Sequence, residues 1–288
     1  MNNSFQYFDS SMMSHGSLEN IMGTRFDIVT VGKARLLSES VWNKVVAELK
    51  RLDNMLNRFD AESEISKINT AAYQQAIKLS SELYDIINEC NQYHELTDGL
   101  FDITRNNFTG VELNKAEGTI SYLTPDLNLD LGAYAKGYAL RKVNAILKDA
   151  EVDQAFVDFG NSSILVIGHH PYGDSWKVSI ENPYRTGEIL DEIELKDTSL
   201  STSGNVPSHS NHIVRPDSGM YNDECKLACV STDDPVAAEV LSTTLMIATA
   251  EEKVKILERF EVKDVRIFQS LDMPLNQTKN KSSVYGNH

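Results

Sequence analysis

Five segments typical of β-strands follow one another without a helical pattern between them, at residues 154–168, 176–181, 192–201, 211–215 and 226–231. Strands joined by short turns pair in antiparallel fashion, whereas parallel strands need a long crossover connection. Further strands are expected at 25–32, where polar and apolar residues alternate, and at 264–269. The chain therefore lacks the regular strand–helix alternation of a doubly wound parallel sheet.

Helices are predicted where apolar residues recur at intervals of three or four. The first begins near Ser40 and carries apolar residues at Val41, Val45, Leu49, Leu52 and Leu56. Two more are expected at 81–96 and 135–148. A small, alanine-rich helix begins after Pro235, since proline suits the first turn of a helix. Helices interspersed among antiparallel strands indicate an α+β fold.

The 288 residues suffice for one large domain, which we expect to extend over residues 18–270. A disordered N-terminal extension is expected at 1–17, and the polar, aperiodic residues 271–288 predict a flexible C-terminal tail. The first twenty residues lack a basic start followed by an apolar stretch, and no apolar run is long enough to cross a membrane. A cytoplasmic location is therefore expected.

The chain is acidic, with 27 basic and 42 acidic side chains and a formal charge of −15. An acidic surface repels phosphate backbones, so nucleic acid is not expected as a partner. An anionic ligand would need local help from a metal ion, a helix N-terminus or a few placed cations. The three cysteines do not make a disulfide framework, and Cys225 with Cys229 alone is weak evidence for a zinc site.

Three segments in the first half of the chain carry residues suited to a ligand. Met22-Gly23-Thr24 allows close approach to the backbone before a strand, or simply makes a turn. Arg58 could pair with a ligand phosphate or with a nearby acid of its own loop, and Phe59 could pack against a ring or enter the core. Residues 97–104 (TDGLFDIT) are the third such segment, and they could simply form a helix end followed by an extended turn.

The segment 130–139 (DLGAYAKGYA) places two glycines and several small residues at a strand-to-helix junction. Free backbone N–H groups at the start of a helix make a ready anion site, to which Lys136 adds a positive charge. The structural alternative is a close contact between this helix and a sheet.

Two later segments carry polar groups that could serve chemistry. Hydroxyls at 201–205 (STSGN) could bond a ligand or cap a turn, and His212 could act as a base or be a satisfied core residue. Glu239 and Thr243 are four residues apart on a predicted helix and share one face. Their oxygens suit Mg²⁺, although an ordinary helix with a solvated glutamate explains them equally well.

The order of these segments is more specific than any one of them. The chain carries M-G-T, then R-F-x-x-x-S-E-I-S-x-I-N, T-x-G-x-F-D-x-T, D-L-G-A-Y-A-K-G-Y-A, T-S-G, H-I-x-x-P-x-S-G and a small-residue helix with L-S-T. This series resembles the ApbE family of FAD:protein FMN transferases from about Met22 to Ile267, and the segment around Lys136 is its most specific part. No G-x-G-x-x-G or P-loop signature competes with it.

The resemblance implies an ApbE-like fold of mixed or antiparallel sheets packed with helices. It implies a Mg²⁺-dependent enzyme that transfers the FMN half of FAD to a Thr or Ser hydroxyl of an acceptor protein and releases AMP. By position, the residues expected to contact FAD are Met22, Phe59, Leu100, Phe101, Asp102, Asp130, Lys136 and Ile213. The expected metal ligands are the Ala133 carbonyl, Glu239 and Thr243. His212 is the candidate base toward the acceptor hydroxyl.

Three departures from the family pattern bear on activity. Glu239 and Arg215 each stand where the family usually has Asp, and Gly160-Asn161-Ser162-Ser163 replaces the usual G-G-D. Arg215 reverses a charge near His212 and would disfavour the imidazolium that a base must become, or reach a phosphate. Two alternatives therefore stay open: a homologue that binds or hydrolyses FAD without transferring it, and a non-enzymatic α+β interaction domain.

Overall fold

A computed structural model describes residues 2–106, 108–207, 212–272 and 283–284. Within these residues the helices are α1 (Arg35–Leu56), α2 (Glu64–Ala71), α3 (Ser81–Leu96), α4 (Ala135–Asp149), α5 (Pro235–Ile247) and α6 (Ala250–Leu257). The strands are β1 (Asn3–Phe8), β2 (Met13–Ile21), β3 (Thr24–Val31), β4 (Ile77–Lys78), β5 (Val111–Asn114), β6 (Thr119–Tyr122), β7 (Ala155–Phe159), β8 (Ser163–Ile167), β9 (Trp176–Glu181), β10 (Ile189–Leu195), β11 (Thr198–Gly204), β12 (Val214–Arg215), β13 (Met220–Tyr221), β14 (Leu227–Thr232), β15 (Asp264–Phe268) and β16 (Ser283–Val284).

A nine-stranded sheet in the order β1-β2-β3-β7-β8-β11-β14-β15-β16 forms the centre of the fold. Each neighbouring pair in it is antiparallel. Small antiparallel sheets are made by β9 with β10, by β12 with β13, and by β4, β6 and β5. The predicted α+β class and antiparallel pairing are confirmed.

The N-terminal segment differs from the disordered extension expected at 1–17, because β1 pairs with β2 and β2 pairs with β3. The buried positions of β2 alternate, yet two of them are the small residues Ser14 and Gly16. A Cβ at Gly16 would lie 2.5 Å from Cε3 of Trp42, so the absent side chain makes room for that indole ring. Small buried residues give no hydrophobic signal, so the sequence pattern did not predict this strand.

The other end of the chain is described only in part. Leu271 is buried and Asp272 is exposed, and β16 pairs with β15. The remainder of 273–288 lies outside the described residues. The limit at 270 and the flexible tail stay predictions, whereas the limit at 18 falls inside β2.

The segment 154–168, expected as one strand, is a hairpin of β7 and β8. Residues 160–162 make its turn, and the first two of them, Gly160 and Asn161, have positive φ, 70° and 58°. The hairpin places Ser162 in the turn and Ser163 at the start of β8. Of the strand expected at 211–215, only Val214–Arg215 is extended and paired, and Asn211 lies outside the described residues.

Helices α1 and α4 cover one face of the sheet, and α5 packs beside α4 against β11 and β14. The largest apolar core lies between α1, α3, α4 and strands β2, β3 and β7. A second core lies beneath α5 and α6 and a third beneath the β9–β10 hairpin. No helix in the described part of the chain combines the length and apolar character that crossing a membrane requires.

Helices α4 and α5 approach each other through their backbones at Gly137. A Cβ on Gly137 would lie 2.6 Å from the Pro235 carbonyl oxygen and 2.9 Å from Cα of Val236. Real side chains do not tolerate such distances, so only glycine allows this approach. The close contact that the two glycines of 130–139 suggested is therefore between two helices, not between a helix and a sheet.

Candidate active site

The close approach of α4 and α5 brings Lys136 onto Glu239. The ammonium lies 2.9 Å from Oε1 of Glu239, whose side chain is 5% exposed against 23% for Lys136. Ser163 donates to the other oxygen, Oε2, at 2.7 Å, and Ser201 donates to it at 3.0 Å. Both oxygens of this buried carboxylate therefore have partners, as burial of a charge requires.

The Lys136 ammonium also donates to Ser162 Oγ at 2.6 Å and to Ser163 Oγ at 2.9 Å. These two hydroxyls lie at the end of the β7–β8 turn and the start of β8, where the family usually has G-G-D. Two neutral hydroxyls therefore bind the Lys136 ammonium here, and the negative charge beside it comes from Glu239. Lys136 lies in the first turn of α4, where unpaired N–H groups and the helix dipole also favour an anion.

Hydroxyl groups continue from Glu239 to Thr243 along β11. Ser201 and Ser203, two apart on the strand, both face α5. Ser242 lies 2.9 Å from the hydroxyl of Ser201 and 2.8 Å from that of Ser203, and Thr243 Oγ1 lies 3.1 Å from Ser203 Oγ. The two predicted metal ligands on α5 are thus joined by a chain of hydrogen-bonded hydroxyls.

The third predicted ligand, the Ala133 carbonyl, lies two residues before α4 on a half-buried residue. The carbonyl of the next residue, Tyr134, accepts the N–H of Tyr138 at 3.0 Å as part of the first helical turn. Among the described residues no hydrogen bond to the Ala133 carbonyl is found. Nor do the described residues bring three or more His, Cys, Asp or Glu side chains together as a metal cluster.

Asp130 joins the segment before α4 to the loop after α1. Its Oδ2 lies 3.2 Å from Nε of Arg58, and its Oδ1 accepts the N–H of Gly132 at 3.0 Å. Arg58 therefore pairs with Asp130 and not with an acid of its own loop. The Arg58 guanidinium lies 4.3 Å from the ring centre of Phe59, which is 82% exposed. Phe59 is a surface ring rather than a core residue.

Met22 has a positive φ of 47° and packs, half-buried, against the largest core. Phe101 belongs to the same core, whereas Leu100 and Ile213 are buried in the core beneath α5. The Asp102 carboxylate accepts from Thr104 N at 2.7 Å and from Phe108 N at 3.1 Å, and its side chain is 2% exposed. Leu100 and Asp102 line the cleft described next, and the contact of all five residues with FAD stays a prediction.

A cleft of about 230 Å³ is lined by residues that include His94, Leu100, Asp102, Phe108, Arg215 and Glu252. His212 lies near it: the His212 carbonyl accepts from Nη2 of Arg105 at 3.4 Å. Residues 208–211, just before His212, lie outside the described residues. The role of His212 as a base stays a prediction.

Arg215 is held by neighbouring carboxylates rather than aimed at His212. Its Nε and Nη2 donate to Asp217 at 2.9 Å each, and its Nη1 and Nη2 donate to Glu252 at 3.0 and 2.7 Å. The Nη1 group also donates to the Ile247 carbonyl at 2.8 Å. Two carboxylates therefore neutralise its charge locally, and its effect on His212 or on a phosphate stays a prediction.

The sequence model of the ApbE family matches residues 22–111 and 104–267, which is most of the chain. This chain belongs to the ApbE family. A curated relative, the FAD:protein FMN transferase of Vibrio cholerae, is 22% identical over 289 aligned residues, 87% of this chain and 86% of the relative. The FAD:protein FMN transferase of Chlamydia muridarum is 27% identical over 241 residues, 70% of this chain and 74% of its own.

The solved structures agree on the fold. The flavin transferase ApbE from Vibrio cholerae superposes with a TM-score of 0.78 at 19% identity, covering 99% of this chain and 97% of its own. The ApbE protein of Thermotoga maritima superposes with a TM-score of 0.77 at 20% identity, covering 98% and 97%. The ApbE-like fold predicted from the motifs is confirmed.

In this ApbE chain the candidate residues lie along α5. Glu239 and Thr243 lie on successive turns of this helix, Lys136 of α4 contacts Glu239, and the Ile247 carbonyl at the end of α5 accepts from Arg215. Glu239 and Ile247 are eight residues apart, about 12 Å at 1.5 Å per residue. One helix therefore connects the charged site with the cleft beside Leu100 and Asp102.

Sequence reasoning missed the hydroxyls that surround Glu239. Ser163 and Ser242 were not singled out by role, although Ser201 and Ser203 lay in a segment noted for its hydroxyls. The detectable signal is serine at every second position of a strand, which places successive hydroxyls on one face. Their shared partner on α5 is visible only in three dimensions.

Proposed function

We propose that this ApbE protein binds FAD and transfers its FMN half to a Ser or Thr hydroxyl of an acceptor protein, releasing AMP. The observation that carries the proposal is the juxtaposition of Lys136 with Glu239 and Thr243 where α4 and α5 meet. A cation at the first turn of a helix, beside oxygen donors on a second helix, suits a pyrophosphate. The names of the curated relatives support the same activity.

Mg²⁺ is the metal we propose for this site, held by the Ala133 carbonyl, Glu239 and Thr243. Carbonyl, carboxylate and hydroxyl oxygens are the donors that Mg²⁺ prefers, and it commonly takes one or two carboxylates together with substrate phosphates. The donor set therefore fits, provided that Lys136 releases Oε1 of Glu239. When bound, the metal would neutralise the pyrophosphate and stabilise charge as the bond to AMP breaks.

Residues of the chain itself bind the pyrophosphate, exclude water and accept the proton. Lys136 and the first turn of α4 bind the pyrophosphate oxygens, and the core walls formed by Leu100, Phe101 and Ile213 exclude water beside it. His212 takes the proton of the acceptor hydroxyl, a contribution of ~10²–10⁴-fold in rate for a well-placed base. Positioning of the hydroxyl against the phosphorus supplies most of the rest.

The test is incubation with FAD, Mg²⁺ and an acceptor peptide that contains a Ser or Thr, followed by chromatography of the flavins and mass spectrometry of the peptide. We expect AMP to appear together with a peptide heavier by one FMN. His212→Ala should lose flavin transfer while flavin fluorescence shows that FAD still binds.

Other outcomes identify the alternatives. AMP with free FMN and an unmodified peptide indicates a hydrolase. Bound FAD without AMP indicates a protein that stores or delivers the flavin. Absence of FAD binding contradicts the proposal altogether and favours an interaction domain.

A further inference from the structure

Arg141, on α4, joins three helices through two carboxylates. It donates to Asp234 at 2.9 and 2.6 Å through Nε and Nη2, and to Glu89 of α3 at 2.9 and 2.8 Å through Nη1 and Nη2. Asp234 is also the residue that caps the N-terminus of α5, with Oδ1 accepting the N–H of Val236 at 3.2 Å. The start of α5 is thus fixed against α3 and α4 by a single guanidinium.

Two tyrosines complete this cluster. The hydroxyl of Tyr93, on α3, donates to Oδ2 of Asp234 at 3.2 Å, and the hydroxyl of Tyr134, just before α4, donates to Oε2 of Glu89. Tyr134 is the neighbour of Ala133 in the chain, and Asp234 caps the helix that carries Glu239. Arg–carboxylate pairs that use two parallel bonds add geometric specificity as well as energy.

The Arg141 cluster and the candidate site are two separate contacts between the same helices, α4 and α5. Arg141 lies five residues after Lys136 on α4, and Asp234 lies five residues before Glu239 on α5. The pairs Lys136–Glu239 and Arg141–Asp234 therefore connect helices that run in opposite directions, each about 7.5 Å from the other along its helix. The backbone contact at Gly137 lies between these two ion pairs. Because the helices touch there, neither pair can shift without the other.

We propose that Arg141 is a positioning residue for flavin transfer: by fixing the start of α5 through Asp234 and Glu89, it sets the distance between Lys136 and Glu239. This inference rests on the proposed function. Arg141 acts through α5, and none of its described contacts is with a residue expected to bind FAD. A displacement of ~1 Å from a change outside the reacting groups can cost ~100-fold in rate, so a rigid support is worth preserving.

The chain offers a matched control, Arg51. This arginine of α1 also holds two carboxylates with two bonds each, Glu48 at 2.9 and 2.7 Å and Glu82 at 2.6 and 3.0 Å. Neither carboxylate lies on α5. If Arg141 only stabilises the fold, replacing either arginine should affect thermal stability and leave catalysis unchanged.

The experiment compares Arg141→Met and Arg51→Met in AMP release from FAD. We expect Arg141→Met to lower kcat by ~10–100-fold and to weaken FAD binding through Lys136 by a smaller factor, and Arg51→Met to leave kcat within about twofold. Asp234→Asn is the milder companion, because asparagine still caps a helix but no longer attracts the guanidinium as an anion. If Arg141→Met and Asp234→Asn both keep the wild-type kcat, or if Arg51→Met loses as much, the proposal is overturned.

A second readout does not depend on turnover. The FAD dissociation constant, from quenching of flavin fluorescence, is measured for wild type, Arg141→Met, Lys136→Met and the double variant. Positioning through Lys136 predicts that the two effects are not additive, because Arg141 matters only while Lys136 is present. Additive effects overturn the positioning role. A wild type that quenches FAD but releases no AMP refutes the proposed function alone, and this cycle then decides the role of Arg141.

Discussion

The ammonium of Lys136 lies 2.9 Å from Oε1 of Glu239, and two serine hydroxyls bind the other carboxylate oxygen. In this arrangement the carboxylate proposed as a metal ligand already has a cationic partner. A divalent cation and Lys136 therefore compete for the same oxygen. An anionic ligand that attracts Lys136 toward its phosphates would free Glu239 at the same time, so ligand and metal should favour each other's binding.

Replacing Lys136 should remove the competition between its ammonium and a divalent cation for Oε1 of Glu239. We expect Lys136→Met to bind Mn²⁺, a paramagnetic substitute for Mg²⁺, about tenfold more tightly than wild type when FAD is absent, since a charged hydrogen bond is worth ~1.5–3 kcal/mol. The same variant should bind FAD more weakly. Titration followed by the electron paramagnetic resonance of free Mn²⁺ measures the first effect.

The control is Lys142→Met, which removes a lysine of the same helix that pairs with Glu82 at 2.8 Å. Its Mn²⁺ affinity should equal that of wild type. Equal affinities of Lys136→Met and wild type would show that the two cations do not share Glu239.

Glu239→Ala tests the carboxylate itself. The variant should lose the dependence of AMP release on Mg²⁺, because the remaining proposed donors are uncharged, while circular dichroism shows an intact fold. Glu239→Asp keeps the charge and shortens the side chain by one methylene, so it should still respond to Mg²⁺. Rates measured over rising Mg²⁺ concentration decide the matter, and a full metal response in Glu239→Ala would show that the metal lies elsewhere.

Gly137→Ala should destabilise the protein because its Cβ would enter the backbone of α5, 2.6 Å from the Pro235 carbonyl oxygen. Overpacking of this kind costs ~1–3 kcal/mol in the free energy of unfolding. Gly173→Ala is the control, since the nearest atom to its Cβ would be 3.8 Å away. Urea unfolding measures both. A Gly137→Ala variant as stable as wild type would mean that the two helices separate without cost.

The sequence predicted those elements in which apolar residues repeat regularly. The pattern at 81–96 matches α3 from first residue to last, and 176–181 matches β9. Strand β2 was missed because Ser14 and Gly16 occupy buried positions without being apolar. Helix α2 was missed because it is only eight residues long and buries only Ile65 and Ile68. Short or small-residue elements owe their conformation to neighbours that a local pattern does not contain.

The same limit applies to the site. Motif order identified Lys136, Glu239 and Thr243, and the structure brings the first two into contact and joins the third to them through serine hydroxyls. The partners of these residues were not predictable: Ser163 lies 76 residues from Glu239 in the chain. For Arg215 the sequence did not show the partners of the guanidinium beyond its own segment. Its guanidinium reaches Glu252, 37 residues further along the chain.

Arg215 supports the N-terminus of α6. Glu252 forms a capping box with Thr249, in which the Thr249 side chain accepts from the Glu252 N–H and the Glu252 carboxylate accepts from the Thr249 N–H. The hydrogen bond from Arg215 is the largest of the influences that lower the pKa of Glu252 from its ordinary 4.5 to about 2. Arg215→Asp would place a third carboxylate beside Asp217 and Glu252, so we expect it to destabilise this region.

The pH dependence of stability follows from this pKa. A carboxyl group whose pKa is lowered on folding stabilises the folded state above its unfolded pKa, near 4.5, and this contribution is lost as the pH falls toward 2. Arg215→Met should therefore be less stable than wild type at pH 7, by about 1 kcal/mol because the pair is partly exposed. The difference should shrink as the pH falls from 4.5 toward 2. Unfolding in urea, which does not screen charges, measures it between pH 7 and pH 3. Arg35→Met is the control, since its guanidinium pairs with the exposed Asp9. A difference that stays constant over this range would show that Arg215 stabilises the protein through packing or through the Ile247 carbonyl, and not through the charge of Glu252.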